Sequence, residues 1–388
     1  MKRQNIFQRI GIVFIFLLSN LNAFAFEEGI RIAWDYQTAK QVNNGVYARI
    51  HPIHNNQFSL VYSDGPDVWI RRSSDQCKTW DTRVLVHHED GYNNTNAELV
   101  TLANGWLVYA WNGRPMTENS VPYIIKTKIS KDNGNTWIEE RLIYSADNTF
   151  QNGCWEPSLL QLPTGEIQLY FANENPYRNN ADQEISMYRS FDNGLTWSDY
   201  TTVSYRAGHR DGMPVPVYLQ NNKGIAYCIE DNGLNGDFKP SIVTSSTADN
   251  WKQGAALWNS NRRWGALRSD YALGSAVYAG APYLIQLPSG ETVLSTQSSE
   301  GRINGNDAFT EVYIGTDEAK DFSRNSTPFP WIPATGNALW NAMAVLNDST
   351  IILVSSLNTA GAGPGGIWTI QGRIIKSMNA PKASIVVD

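Results

Sequence analysis

The chain has 388 residues, of which 18% are charged, and its formal net charge is -6. Aromatic residues make up 12% of it, a composition that excludes disordered, coiled-coil and collagen-like proteins. Nucleic acid and anionic membranes are also excluded as expected partners, because neither polyanion is attracted to a negatively charged protein.

The first predicted element is a targeting segment. Its basic start is followed by an apolar run over residues 10–18 and by the small-x-small sequence Ala23-Phe24-Ala25. The apolar run is much shorter than the ~20 residues that a membrane-spanning helix needs. We therefore predict a cleaved signal peptide over residues 1–25, and a secreted or periplasmic protein that does not insert into a membrane.

Three later segments share the template S-x-D-x-G-x-T-W, at residues 73–80, 130–137 and 190–197. The first carries Cys77 at the Gly position, and weaker copies end at Trp251, with Ser246 at the Asp position, and at Phe322. The anchoring aromatic residues are 57, 60, 54 and 71 positions apart, which predicts one unit repeated about every 60 residues. Ser and Asp side chains bind turn backbone and Gly supplies positive φ, so the template is predicted to be a folding device.

A second repeat of strand, tight turn and strand lies between these turns. Its six copies cover residues 49–62, 98–111, 156–171, 214–229, 282–295 and 343–355. Short strands with Gly, Asn and Pro turns dominate, and no segment has a convincing helical period. We predict an all-β, six-bladed β-propeller that forms a single domain over residues 26–388. Residues 30–34 are expected to close the ring beside residues 372–376.

These turns resemble the Asp-box (BNR) turns of the sialidase superfamily. Segments 154–162, 210–214 and 229–233 are more specific, and they are similar to the exo-1,5-alpha-L-arabinanases of glycoside hydrolase family 93. Asp boxes by themselves indicate only the fold. The resemblance implies an exo-acting, retaining glycosidase that releases arabinobiose from alpha-1,5-L-arabinan, with Glu156 as nucleophile and Glu230 as acid/base.

A propeller brings several of the acidic residues together. The inner strand of each blade begins near the axis, so the residues opening each copy should line a central funnel; Glu98 and Glu156 are two of them. The partner strands end on the same side, which adds Glu174 and Glu230. Glycosidic cleavage needs one protonated and one ionised carboxyl group. The spacing leaves open which of Glu156 and Glu230 has which role, and Glu98 and Glu174 are expected to bind sugar hydroxyls.

The other predicted substrate-binding residues are polar or aromatic residues near the strand openings: Arg49, Asn96, Trp155, Tyr177, Arg210, Asp211, Tyr283 and Trp340. Arg210 and Asp211 are expected to form an ion pair at the mouth of the funnel. The five histidines lack metal-binding spacing, and no nucleotide-binding glycine motif occurs, so no metal or cofactor is expected. The expected partner is a polysaccharide or oligosaccharide substrate, and the protein is expected to be a monomer.

Two alternatives remain open at this point. An exo-sialidase would use an arginine triad, drawn from Arg49, Arg210, Arg268 and Arg302, with a Tyr nucleophile such as Tyr278 and Asp64 as acid. A non-catalytic glycan-binding propeller would have its carboxylates apart and solvated. The three cysteines permit at most one disulfide, and the sequence does not decide whether Cys154 and Cys228 pair.

Overall fold

The computed structural model describes residues 30–302 and 305–376, which form 24 β-strands and four 3-10 helices of three residues each. The predicted signal peptide lies outside the described residues and stays a prediction. Within the described ranges, no helix has the length and apolar character that crossing a membrane would require.

The strands have the following bounds in chain order. They are β1 Ile30–Asn43, β2 Val46–Ile53, β3 Gln57–Asp64, β4 Asp67–Ser73, β5 Val84–His87, β6 Tyr92–Thr101, β7 Leu107–Pro115, β8 Ile124–Ser130, β9 Ile138–Ser145, β10 Cys154–Gln161, β11 Ile167–Asn173 and β12 Glu184–Ser190. The remaining strands are β13 Thr201–Ser204, β14 Asp211–Leu219, β15 Gly224–Asp231, β16 Lys239–Ser245, β17 Arg263–Gly265, β18 Ala279–Gln286, β19 Thr292–Ser298, β20 Phe309–Gly315, β21 Ser323–Ser326, β22 Asn337–Asn347, β23 Thr350–Asn358 and β24 Gly366–Lys376. The 3-10 helices are Phe150–Asn152, Asn175–Tyr177, Ser269–Tyr271 and Gly305–Asp307.

These strands form six four-stranded antiparallel sheets, each a blade of a propeller. Blades 1 to 5 are β2–β5, β6–β9, β10–β13, β14–β17 and β18–β21, and blade 6 is β22–β24 with β1. The inner strands β2, β6, β10, β14, β18 and β22 each contact the next, and β22 returns to β2. The predicted all-β six-bladed β-propeller is thus confirmed.

The ring is closed by β1, which is the outermost strand of blade 6. Ile30 pairs with Lys376 and Trp34 with Gly372, as the sequence predicted. A Cβ at Gly372 would lie 2.5 Å from the Ile32 side chain and 2.9 Å from the Trp34 ring. Glycine at this position therefore allows the N-terminal strand to pack against the last blade.

The three full Asp boxes act as turn-forming devices, as predicted. In the first, Asp75 accepts hydrogen bonds from the Thr79 N–H at 2.9 Å and the Thr79 hydroxyl at 2.6 Å. Ser73 Oγ donates to Asp75 and accepts from the N–H of Cys77 at 2.9 Å. Cys77 has φ 63, in the left-handed region that Gly occupies in the other two boxes, where φ is 85 and 87. The bonds hold this turn even without the glycine.

The fourth box differs from the sequence-based alignment. The turn is held by Ser245, which accepts from the N–H of Trp251, and by Asp249, which accepts from the N–H of Gln253 at 2.9 Å. The prediction that Ser246 occupies the Asp position was therefore wrong. This turn has two extra residues between its Ser and its Asp, so Asp249 takes that position. The Trp251 indole instead donates to the Tyr170 hydroxyl of blade 3 at 3.0 Å, which joins two blades.

The core lies within and between the blades. Strand β11 is buried along its whole length, as expected for a strand covered on both faces. Cys77, Cys154 and Cys228 are buried free thiols, so the pairing of Cys154 with Cys228 that the sequence left open does not occur. Apolar burial at ~25 cal/mol per Å² then stabilises the fold without a disulfide.

Candidate active site

Six equivalent β-bulges surround the propeller axis, one in each inner strand. In every case the strand register shifts by one residue and the bulged residue has positive φ. The bulged residues are Tyr47 (φ 52), Asn96 (φ 52), Glu156 (φ 51), Met213 (φ 50), Ala281 (φ 44) and Trp340 (φ 48). We call these six residues the axial ring. Left-handed backbone is uncommon for residues other than glycine, and it is concentrated at functional sites.

The axial ring closes the centre of the propeller. Tyr47, Met213 and Ala281 form one apolar cluster with Trp340 against it, although they come from blades 1, 4, 5 and 6. The backbone of Met213 lies close enough to Glu156 to lower its pKa, which places this residue of blade 3 beside blade 4. Glu156 is thus a carboxylate placed among mainly apolar axial side chains.

Glu156 is surrounded by arginines. Arg114 Nη2 lies 3.8 Å from its Oε1, and the side chain of Glu156 is 19% exposed. Burial raises the pKa of Glu156, while the charges of Arg114, Arg210 and Arg49 oppose that rise. The three guanidinium groups favour the ionised form of Glu156.

Glu230 lies opposite Gly212 in blade 4 and faces blade 5. Its Oε2 accepts from the Ala281 N–H at 2.9 Å and lies 3.4 Å from the Tyr278 hydroxyl. Burial and the negative charge of Glu156 raise the pKa of Glu230 to about 7. The two predicted catalytic carboxylates therefore interact electrostatically, and Glu230 is the one that favours its protonated form.

Glu174 and Arg210 form an ion pair across blades 3 and 4. Glu174 also accepts from the Trp155 indole at 3.0 Å, and it is 3% exposed. Burial raises the pKa of Glu174 to about 7 despite the opposing charge of Arg210. Glu174 thus orients Arg210, and the substrate-binding role of both residues stays a prediction.

Arg114 was not predicted from the sequence, although it contacts three of the predicted residues, Asn96, Trp155 and Glu156. Its guanidinium donates to Asn112 at 2.8 Å and to Asn96, and it lies 4.8 Å from the Trp155 ring centroid. A signal for it existed, because Asn112 directly follows the second hairpin copy, at the end where the partner strands reach the funnel. Arg114 is two residues further along the same strand, and alternate residues share a face.

The predicted ion pair between Arg210 and Asp211 was wrong. Asp211 is fully buried, and Arg263 from the outermost strand of the blade binds both of its oxygens, at 2.6 and 2.8 Å. The same guanidinium reaches Asp231 at 2.5 Å. Adjacent residues on a strand point to opposite faces, so Arg210 faces the funnel while Asp211 faces the interior of the blade. Asp211 is therefore not a substrate-binding residue.

Arg49, Glu98 and Tyr283 are also not at the mouth. They lie two residues beyond the axial ring along their strands, and each is at most 5% exposed. Glu98 lies 3.9 Å from Arg49 and 2.6 Å from His51, and the Arg49 guanidinium is 5.3 Å from the Tyr283 ring centroid. The bulge explains the error, since it makes Glu156 equivalent to Asn96 and Glu98 equivalent to Ser158.

The predicted aromatic residues of the site differ in their surroundings and exposure. Trp155 is 5% exposed, because Arg114 covers its ring and Tyr123 and Phe150 pack at 4.8 and 5.0 Å, so it is not free to stack on a sugar. Tyr177 is half-buried, stacks on Tyr205 at 4.9 Å and donates to Glu184. Trp340 stays half-buried on the axial ring, and Asn96 is buried there against Arg114.

The arginine triad of a sialidase is not assembled. Arg49 lies below the axial ring and Arg210 is paired with Glu174. Arg268 contacts Asp270 at 2.6 Å, and Arg302 donates to the Asp307 carbonyl at 2.9 Å. The proposed acid Asp64 is paired with Arg83 at 2.5 Å. Tyr278, the candidate nucleophile of that alternative, does lie beside Glu230.

One group in the described ranges has the residue types and spacing of a metal site: His87, Glu89 and Glu140. Lys126 Nζ already contacts Glu89 at 2.6 Å and Glu140 at 2.9 Å, and Lys128 contacts Glu140 at 3.4 Å. Two ammonium groups thus supply the positive charge there, and the donor set does not fit a cation.

Comparison with known proteins agrees with this architecture. Residues 105–262, which include the second and third Asp boxes, match the family described as BNR repeat-like domain. No curated protein sequence matches the chain. Residues 105–262 are thus similar to a BNR repeat-like domain, and they lie within the six-bladed propeller.

Several solved structures are similar to this one. The alpha-L-arabinofuranosidase of Fusarium graminearum, solved with an iminosugar inhibitor, has 18% identity and a TM-score of 0.66, over 88% of this chain and 94% of that one. The alpha-L-arabinanase of Penicillium chrysogenum, complexed with arabinobiose, has 18% identity and a TM-score of 0.63, over 89% and 96%. A Hadza microbial sialidase has 12% identity and a TM-score of 0.60, over 86% and 66%. At these identities the likeness shows the fold.

Proposed function

We propose that this protein is a secreted or periplasmic glycoside hydrolase, an exo-acting retaining arabinanase that releases arabinobiose from alpha-1,5-L-arabinan. The observation that carries the proposal is the pair Glu156 and Glu230, two interacting carboxylates from adjacent blades with unlike surroundings. Arginines face Glu156, whereas burial and the charge of Glu156 favour a proton on Glu230. Such a difference between two carboxyl groups is what assigns acid and nucleophile in glycosidases.

The roles follow from those surroundings. Glu230 donates its proton to the glycosidic oxygen while the Glu156 carboxylate attacks the anomeric carbon, forming a covalent glycosyl-enzyme and releasing the remaining chain. The ionised Glu230 then takes a proton from water, whose oxygen attacks the same carbon and frees Glu156. The charges of Arg114 and Arg210 favour the ionised form of Glu156 against the effect of its burial, and Trp340 offers an apolar surface at the funnel floor.

Two similarities of different kinds favour arabinan as the substrate. The segments around Glu156 and Glu230 are similar to those of family 93 enzymes. Arabinobiose is bound in the Penicillium structure and in a further structure of the Fusarium enzyme. A polysaccharide substrate also accords with the predicted signal peptide, because such polymers are met outside the cytoplasm.

The test is product analysis after incubation with debranched linear arabinan, for the protein lacking residues 1–25 and for Glu156→Gln and Glu230→Gln. A disaccharide product that disappears in both variants supports the proposal. Arabinan binding without any product would instead support the glycan-binding propeller.

An exo-sialidase is a second candidate because of one contact, the Tyr278 hydroxyl 3.4 Å from Glu230. A Tyr beside a Glu is the nucleophile arrangement of that class. Sialyllactose is the discriminating substrate: free sialic acid that is lost in Tyr278→Phe would favour a sialidase.

A further inference from the structure

Phe150 is an exposed aromatic residue at the rim of the funnel, and none of the roles described above involves it. It lies four residues before β10, in the 3-10 helix Phe150–Asn152, and is 55% exposed. Its ring packs on Trp155 at 5.0 Å and on the edge of Tyr123 at 6.4 Å. One part of the ring is therefore supported by protein and the rest faces solvent.

The position of Phe150 is fixed by a carboxylate clamp. Glu118 Oε1 accepts from the Phe150 N–H at 2.7 Å, and Oε2 accepts from the Tyr123 hydroxyl at 3.1 Å. Asn119 and Asn148 exchange two further bonds, of 3.2 and 2.9 Å, between the same two loops. An apolar ring held in place before binding loses little conformational entropy when a ligand covers it.

A continuous set of contacts joins Phe150 to the proposed nucleophile. Phe150 covers Trp155, Trp155 is covered by Arg114 at 4.8 Å, and Arg114 is 3.8 Å from Glu156. Trp155, the residue expected to stack on a sugar, is buried by this arrangement. Phe150 occupies the solvent-facing position of the same aromatic group.

We propose that Phe150 is a carbohydrate-stacking subsite, which binds a furanose unit of the polysaccharide outside the bond being cleaved. The inference rests on the proposed function and names a binding residue for that site. The CH face of a neutral sugar is apolar, and covering the exposed Phe150 ring with it removes apolar surface of both partners from water. Phe150 binds substrate but does not take part in bond cleavage, so its effect is on KM.

The test uses linear arabinan with Phe150→Ala, Phe150→Tyr and the matched control Phe191→Ala. Phe191 is 73% exposed and lies in the third Asp box, at the opposite end of blade 3 from the funnel. We expect about a tenfold higher KM in Phe150→Ala, equivalent to about 1.4 kcal/mol, with little change in kcat. Phe150→Tyr should stay near the wild type, and Phe191→Ala should match it.

A binding measurement separates the subsite from the chemistry. Isothermal titration calorimetry with linear arabinan compares Glu230→Gln with the double variant Glu230→Gln, Phe150→Ala. The double variant should have about a tenfold higher Kd. A wild type that cleaves arabinan and a Phe150→Ala variant with unchanged KM and Kd overturn the subsite and leave the proposed function intact. A folded wild type that neither cleaves nor binds arabinan overturns both.

Discussion

The carboxylate of Glu230, in blade 4, accepts a hydrogen bond of 2.9 Å from the backbone N–H of Ala281, in blade 5. Ala281 is the bulged residue of its inner strand, with φ 44. The proposed acid is therefore positioned by the neighbouring blade, and Glu156 likewise lies beside the backbone of Met213 in blade 4. The geometry of the pair depends on how three blades are spaced around the axis.

The pH dependence of activity follows from Glu230. Its pKa is raised to about 7 from the usual 4.5 by burial and by Glu156, so the proton needed for the first step is present below pH 7 and lost above it. We expect kcat/KM on arabinan to fall as the pH rises through about 7. A pH profile of initial rates checks this, and a kcat/KM that stays flat from pH 6 to 8 would remove Glu230 as the acid.

A substrate with an activated leaving group tests the two roles separately. A dinitrophenyl arabinobioside needs no proton on its leaving oxygen, so Glu230→Gln should still release dinitrophenol in a burst, while Glu156→Gln should not. With arabinan, both variants should lose about 100-fold or more in kcat. Retained arabinan cleavage in Glu156→Gln would contradict its role as nucleophile.

The raised pKa of Glu230 also predicts a pH-dependent stability. Between pH 4.5, the pKa of this group in the unfolded chain, and about pH 7, its pKa in the folded protein, the folded state holds more protons than the unfolded state. The free energy of unfolding therefore falls as the pH rises through that window. At pH 8 we expect Glu230→Gln to be more stable than the wild type, by up to about 3 kcal/mol. Urea unfolding at pH 4 and pH 8 measures this difference, which should nearly vanish at pH 4. A difference of equal size at both pH values would show that ionisation is not its cause.

Gly280 makes room for the contact between Tyr278 and Glu230. A Cβ at this position would overlap both the Tyr278 hydroxyl and Glu230 Oε2. We expect Gly280→Ala to displace both side chains, with at least a tenfold loss in kcat and about 1–3 kcal/mol in stability. Gly363→Ala is the matched control, because a Cβ there meets no atom within 4 Å. Equal kcat values for the two variants would mean that the positions of Tyr278 and Glu230 do not matter for the reaction.

Arg263 neutralises two buried carboxylates behind the site. Its side chain is 1% exposed, and Asp211 and Asp231 are fully buried. We expect Arg263→Ala to lower the free energy of unfolding by about 3–5 kcal/mol, because it leaves the buried carboxylate of Asp211 without its ion-pair partner and leaves Asp231 only Arg206, at 3.5 Å. Arg83→Ala, which breaks the exposed pair with Asp64, should change it by less than about 1 kcal/mol. Chemical denaturation of both variants checks the contrast, and similar losses in the two would count against the role of burial.

The repeated architecture could be predicted from the sequence because its signals are local. Ser73, Asp75 and Thr79 lie within one turn and bind each other there, whatever the rest of the chain does. The alternation and turns of each hairpin similarly indicate four-stranded blades, and the pairing of Trp34 with Gly372 followed from the number of blades. Even so, two additional residues in the fourth box were enough to hide the role of Asp249.

The sequence by itself therefore determined the blades and their number, since the signals for each blade lie close together in the chain, and the ring closure followed from that number. Only the tertiary structure decided which charges meet: Arg263 reaches Asp211 across 52 positions, and Arg210 reaches Glu174 across 36. The bulges also decided which side chains face the axis, because one extra residue in a strand reverses the alternation beyond it. Glu156 consequently stays in the axial ring while Glu98 is buried beneath it.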